Sequence, residues 1–162
     1  MPDSSPLLLS PKMEPVTQSV LAEGALLHQL ADGLGSPLDI VLPEALDANV
    51  EDFRAVYRRH RLRGHLYFAH KANRSAALLR HLATTDAGVD VASLAELQHA
   101  LGAGFGPGRL MATGPKNREF LWLAACSGST VNADSLDELS ELAALVSAGR
   151  LPRVRVMVRL SE

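Results

Sequence analysis

From Leu66 onward, apolar and polar positions fall into two kinds of segment that alternate at a steady interval. Short apolar runs begin near Leu66, Val89, Leu110, Val131 and Val154, so the intervals are 23, 21, 21 and 23 residues. Between them lie Arg74–Thr84, Leu94–Leu101, Lys116–Cys126 and Leu136–Val146, each compatible with a helix. Strand, helix, strand at this spacing predicts right-handed crossover units and a parallel sheet. Upstream, Val20, Leu21, Leu27, Leu30 and Leu34 predict one helix over 16–34, closed by Gly33 and Gly35. A short strand is expected over Pro37–Leu42, then a second helix over Pro43–Leu62. That helix is acidic at its start (Glu44, Asp47, Glu51, Asp52) and basic at its end (Arg58, Arg59, Arg61, Arg63), which suits the helix dipole. Residues 1–15 hold four prolines, several serines and both charge signs, and read as a flexible tail.

Two of the repeated units are visibly related. Val89-Asp-Val-Ala-Ser93-Leu-Ala-Glu96-Leu97 matches Val131-Asn-Ala-Asp-Ser135-Leu-Asp-Glu138-Leu139. In both, a serine precedes a glutamate by three positions at the start of an apolar helix, the pattern of a capping box. The box marks a strand-to-helix turn and carries no chemistry by itself. Five strands fit part of an eight-stranded barrel, which needs about 250 residues. They also suffice for a complete doubly wound domain.

Composition narrows the function classes. Of 162 residues, 47% are apolar, enough for a packed core, and the formal net charge is −2. With four Phe, one Trp and no basic excess, nucleic-acid binding is not expected. Cys126 is the only cysteine, so no intrachain disulfide forms, in keeping with a reducing compartment. No stretch approaches the roughly 18 apolar residues of a membrane helix, and the start lacks a secretory pattern. A cytoplasmic protein without a membrane partner is expected.

Lys71 is the first candidate for chemistry. It follows Leu66-Tyr-Phe-Ala-His70, a strand-like run, and ligand sites in α/β folds lie at the C-terminal ends of strands. Strand alternation puts the small Ala69 on its face, leaving space beside the amine. A lysine that merely reaches solvent is the plainer alternative. Asp90 lies inside the apolar run Gly88-Val-Asp-Val-Ala92, where a carboxylate holds either the lysine, a cofactor group or loop amides. Arg159 ends the last strand and suits an anionic group at the barrel mouth. Arg153 and Arg155 share its parity, so a solvent-facing basic stripe is the rival reading.

Other signals fail. In Gly102-Ala-Gly-Phe-Gly106-Pro-Gly108 the third glycine of a dinucleotide fingerprint falls on Pro107, and the run follows a helix, so it reads as a helix end and turn. Thr113-Gly-Pro-Lys116 lacks the spacing of a P-loop, and the six histidines lack metal-ligand spacing. Cys126, among Ala and Leu on a helix, reads as a core residue.

Tyr67-Phe-Ala-His-Lys71-Ala-Asn73 resembles the Tyr-x-Val-Lys-Ala-Asn signature of pyridoxal-phosphate (PLP) decarboxylases acting on diaminopimelate, ornithine or arginine. A longer match runs through Gly88-Val-Asp-Val-Ala-Ser93, Glu96-Leu97, Ala100-Leu101, Ala103-Gly-Phe105, Pro107 and Arg109. Thr113-Gly-Pro-Lys116 and Val131-Asn-Ala-Asp-Ser135 fall where that family has its next strand ends, and Pro37–Leu46 is similar to its opening strand and first helix. His70 stands where the family usually has an aliphatic residue. The resemblance implies a partial (β/α)8 barrel of the PLP-binding, alanine-racemase-like type, with about five βα units over 16–162. It implies that Lys71 forms the Schiff base and that Asp90, Ala69 and Arg159 lie in the cofactor pocket. It further implies a small amino-acid substrate and a homodimer in the full-length form. The chain is expected to be the N-terminal portion, lacking the C-terminal β domain and the later site elements. A racemase or PLP carrier on the same barrel, or a non-catalytic homologue, are the alternatives.

Overall fold

The computed structural model describes residues 13–149 and 151–160. The chain forms two compact units, the first ending at Asn49 and the second starting at Val50. In the first, α1 (Pro15–Ala22) and α2 (Gly24–Leu34) bury none of their residues. The expected tail lies outside the described residues as far as Lys12. The single helix expected over 16–34 is broken at Glu23, whose φ of −85° and ψ of 52° leave the helical region. Gly24 follows, and glycine is among the poorest helix formers, so nothing local holds the two pieces in one helix.

The strand expected over Pro37–Leu42 does not form. Pro37 follows a cis peptide and has no N–H to give a ladder, and no described strand pairs with this segment. A strand exists through its partner, and here there is none. Helix α3 (Pro43–Arg59) begins in the first unit and continues in the second, with Glu44 in its first turn and Arg58 and Arg59 in its last.

The second unit contains β1 (Tyr67–Ala69), α4 (Ala76–Ala83), β2 (Gly88–Val91), α5 (Leu94–Gly102), β3 (Leu110–Ala112), α6 (Arg118–Cys126), β4 (Thr130–Ala133), α7 (Leu136–Gly149) and β5 (Arg155–Val158). The five strands form one parallel sheet in the order of the chain, each paired with the next. A doubly wound sheet reverses its strand order at a switch point, and this one does not. The order is that of a barrel wall.

Register assigns each face. Val89 pairs with Leu110, Ala112 with Val131, and Ala133 with Val158. Val89, Val91, Leu110, Ala112 and Val131 have no measurable exposure, and against them lie Leu82, Leu97, Phe120 and Leu121, each at 2% or less. Burying a side chain of this size contributes on the order of 2 kcal/mol, so this layer between sheet and helices holds the unit together. The opposite face carries Ala69, Asp90, Met111 and Asn132, all half-buried. It is more polar than the strands of a sheet packed on both faces usually are. Gly88 begins β2 on that face because the Tyr67 ring lies over it: an added Cβ would meet the ring carbons at 2.5 Å.

Candidate active site

The run that ends β1 turns at once. Ala69 is the last strand residue, and His70–Ala72 form a single 3-10 turn closed by the Asn73 amide donating to the His70 carbonyl at 3.2 Å. Asn73 Oδ1 then accepts from the Ser75 amide at 2.9 Å, and Ser75 Oγ caps α4 by accepting from the Leu78 amide at 3.4 Å. Lys71 therefore sits past the strand, so strand alternation does not put Ala69 on its face. Lys71 is exposed on that turn. Its position at the C-terminal end of the strand is as expected.

Asp90 lies on the neighbouring strand. It pairs in register with Ala69, and its Oδ1 accepts from the Thr113 hydroxyl at 2.7 Å. Burial pushes the Asp90 carboxyl above its ordinary value, and the Thr113 hydrogen bond and the charges of Lys71 and Arg159 only partly offset this. Arg159 lies one residue beyond β5, its amide donating to the Ala133 carbonyl at 3.0 Å. Its Nε stands 3.1 Å from Asp134 Oδ1 without the alignment of a hydrogen bond. The charges of Lys71 and Arg159 thus both act on Asp90, and Ala69 is its register partner. Arg153 and Arg155 are also exposed, but Arg155 reaches only the Thr130 hydroxyl at 3.5 Å.

Sequence reasoning missed three structural residues. Lys116 has a fully buried side chain, paired with Glu138 at 2.9 Å, facing Asp134 at 3.9 Å and donating to the Gly114 carbonyl. Burial pushes the Glu138 carboxyl up, but the amides of Asp134 and Lys116 and the Lys116 ammonium outweigh it and hold the group below its ordinary value. The signal was the related Arg74: both cations precede the glutamate of the following capping box by 22 positions. Arg109 donates to the carbonyls of Leu82, Ala83 and Ala87 at 2.8–3.2 Å and lies 4.8 Å over the Phe105 ring, closing the C-terminal end of α4. His70 is buried with neither ring nitrogen bonded. Cys126, expected in the core, is exposed as the last residue of α6, where the chain turns through Ser127 and Gly128.

A cleft of about 570 Å³ lies among α5, α6 and α7 beside Leu94, Trp122 and Leu145. Its lining is almost wholly apolar, and it lies on the helix side of the sheet, away from Asp90. The polar strand ends are the better candidate for chemistry.

Residues 45–162 match the model of the pyridoxal-dependent decarboxylase family, pyridoxal binding domain. The chain belongs to this family. A diaminopimelate decarboxylase from Methanothermobacter thermautotrophicus is 32% identical over 131 residues, covering 80% of this chain and 31% of that protein. The solved structure of AQ1208 from Aquifex aeolicus superposes with a TM-score of 0.73 at 28% identity, over 82% of this chain and 33% of its own. Diaminopimelate decarboxylase from Helicobacter pylori, complexed with L-lysine, gives a TM-score of 0.56 at 29% identity, over 60% and 25%. The chain thus spans between a quarter and a third of the length of these proteins. The family's cofactor is pyridoxal phosphate, and the five-stranded sheet is part of its barrel. No described helix is long and apolar enough to cross a membrane.

Proposed function

We propose that this chain supplies the cofactor-holding part of a PLP-dependent decarboxylase acting on an amino acid of the diaminopimelate, ornithine or arginine kind. The observation that carries the reading is Lys71, an exposed amine on the turn closing β1, within electrostatic reach of the half-buried Asp90. These residues fit the cofactor. The amine makes no hydrogen bond or ion pair among the described residues, so it is open to a carbonyl partner, and the small Ala69 crowds neither group. Lys71 would hold PLP through its side-chain nitrogen, and Asp90, fixed by Thr113, would balance positive charge there. Arg159 would offer its guanidinium to an anionic group. Bound at this site, the pyridine ring supplies the electron sink for loss of CO2. As a free amine at this site, Lys71 would carry protons. The substrate class follows the diaminopimelate decarboxylase relatives. The lone cysteine supports a reducing, cytoplasmic setting, and a homodimer is proposed for the full-length form.

The test is PLP titration of the chain, followed by borohydride reduction and peptide mapping. One pyridoxyl mark on Lys71 is expected, and the other described lysine, Lys116, is shielded with a fully buried side chain. Marks scattered over the lysines, or none, would sink the proposal. In the full-length protein, Lys71→Ala should abolish turnover; retained turnover has the same force.

A further inference from the structure

His70 is the sequence neighbour of Lys71, yet it serves the helix side of the sheet. The residue is 1% exposed, and neither Nδ1 nor Nε2 has a hydrogen-bond partner among the described residues. Buried polar atoms are almost always bonded, so an imidazole without a described partner asks for a group beyond the described residues. His70 and Leu79 are among the residues that line a cleft of about 290 Å³ between α4 and α5. Arg74, Arg80, Gln98 and His99 stand at its exposed rim, and the His99 ring is centred 6.3 Å from that of His70. The space exceeds the ~30 Å³ share of a single water.

The lining chemistry is one-sided. Arg74, Arg80, His70, His99 and Gln98 line the cleft, and among the described residues no Asp or Glu does. Glu96 is committed elsewhere: Oε1 meets Arg74 at 3.2 Å and Oε2 accepts from the Ala92 amide at 2.9 Å. Arg80 makes no hydrogen bond or ion pair among the described residues. We propose that this cleft binds a small oxyanion, phosphate or carboxylate, which accepts from the ring N–H of His70 and the guanidinium of Arg80. Side chains at the exposed rim would shift to admit it. The site is separate from the one proposed around Lys71 and does not depend on PLP.

The experiment titrates the whole chain with inorganic phosphate and, separately, with acetate. Binding is read at the ring nitrogens of His70 by nuclear magnetic resonance. Saturable shifts at His70 with either anion are expected, and the tighter of the two identifies the source. Arg80→Ala, read at His70, and His70→Leu, read by titration calorimetry, should each weaken binding about tenfold or more. Arg80 is exposed, so its variant keeps the proposal testable should His70→Leu fail to fold. Lys71→Ala should bind the anion as the parent does, whatever the outcome of PLP labelling. The proposal is overturned if neither anion saturates, if Arg80→Ala binds undiminished, or if His70 reports an ordered water only. Loss of binding in Lys71→Ala would place the anion on the other face of the sheet and overturn it as well.

Discussion

The turn from β2 into α5 and the turn from β4 into α7 repeat the same hydrogen bonds with different charges around them. Ser93 Oγ accepts from the Glu96 amide at 3.2 Å, and Ser135 Oγ from the Glu138 amide at 3.1 Å. Each glutamate reaches back one residue further than a standard capping box requires, to Ala92 N at 2.9 Å and Asp134 N at 3.0 Å. Each also meets a cation from the preceding strand-end loop, Arg74 or Lys116. In the first turn that cation has a side chain 72% exposed; in the second it is 0% exposed. A buried ammonium needs more than one carboxylate nearby, and Asp134 stands where the first turn has Ala92. Asn132 in turn stands where the first has Asp90, and Thr130 where it has Gly88. The second turn spends its charges on holding itself together. The first carries Asp90, half-buried and bonded to the Thr113 hydroxyl, where the second has Asn132.

The largest expected effect follows from that burial. Glu138→Ala strands the Lys116 ammonium and should cost about 3 kcal/mol in urea unfolding. Glu96→Ala leaves Arg74 in water and loses one amide partner, so about 1 kcal/mol is expected. Equal losses would mean that the two turns do not differ as the geometry requires. Next in size is Gly88→Ala, whose Cβ would meet the Tyr67 ring at 2.5 Å and the Arg109 carbonyl oxygen at 2.9 Å. Overpacking of this kind should cost about 2 kcal/mol, whereas Thr130→Ala at the matching position should cost less. Reversal of that order would show that the ring moves aside freely.

The repeated frame was legible because it is local. Strand and helix periods, and serine–glutamate pairs three residues apart, depend on neighbours in sequence, and all five strands formed where the periods placed them. Pro37–Leu42 has the composition of a strand but lacks a partner, which no local pattern reveals. The single helix over 16–34 was misread because apolar spacing passed unbroken over Gly24. Lys71 and Asp90 were legible as charged residues in apolar runs. That Lys71 is exposed on a 3-10 turn was not, since a strand pattern does not say where the chain leaves the sheet. The roles of Arg109, Lys116 and His70 were not read, because they come from contacts some 20 residues or more away, or from the lack of a partner among the described residues.

Smaller effects sharpen the contrast. Ser93→Ala and Ser135→Ala each remove one cap and should each cost about 1 kcal/mol, because the shared cap is the part the turns have in common. Unequal costs would make the caps, and not the charges around them, the point of difference. Asp90→Asn should have the smallest effect and the opposite sign. The Asp90 carboxyl is raised above its ordinary 3.8 by burial, so between that value and the higher folded one the folded chain binds more protons than the unfolded. Stability then falls as pH rises through this window, the reverse of Glu138, whose depressed value gives stability above 4.5 that is lost as pH falls through its folded value. Asparagine keeps an oxygen for the Thr113 hydroxyl and carries no charge. Urea midpoints of Asp90→Asn should therefore match the parent at about pH 3 and exceed it at about pH 7. The variant should meanwhile lose the charge that answers Lys71. A variant that tracks the parent across the whole range would mean that Asp90 is not held in its charged form at the expense of the fold, and that the first turn is no more specialised for chemistry than the second.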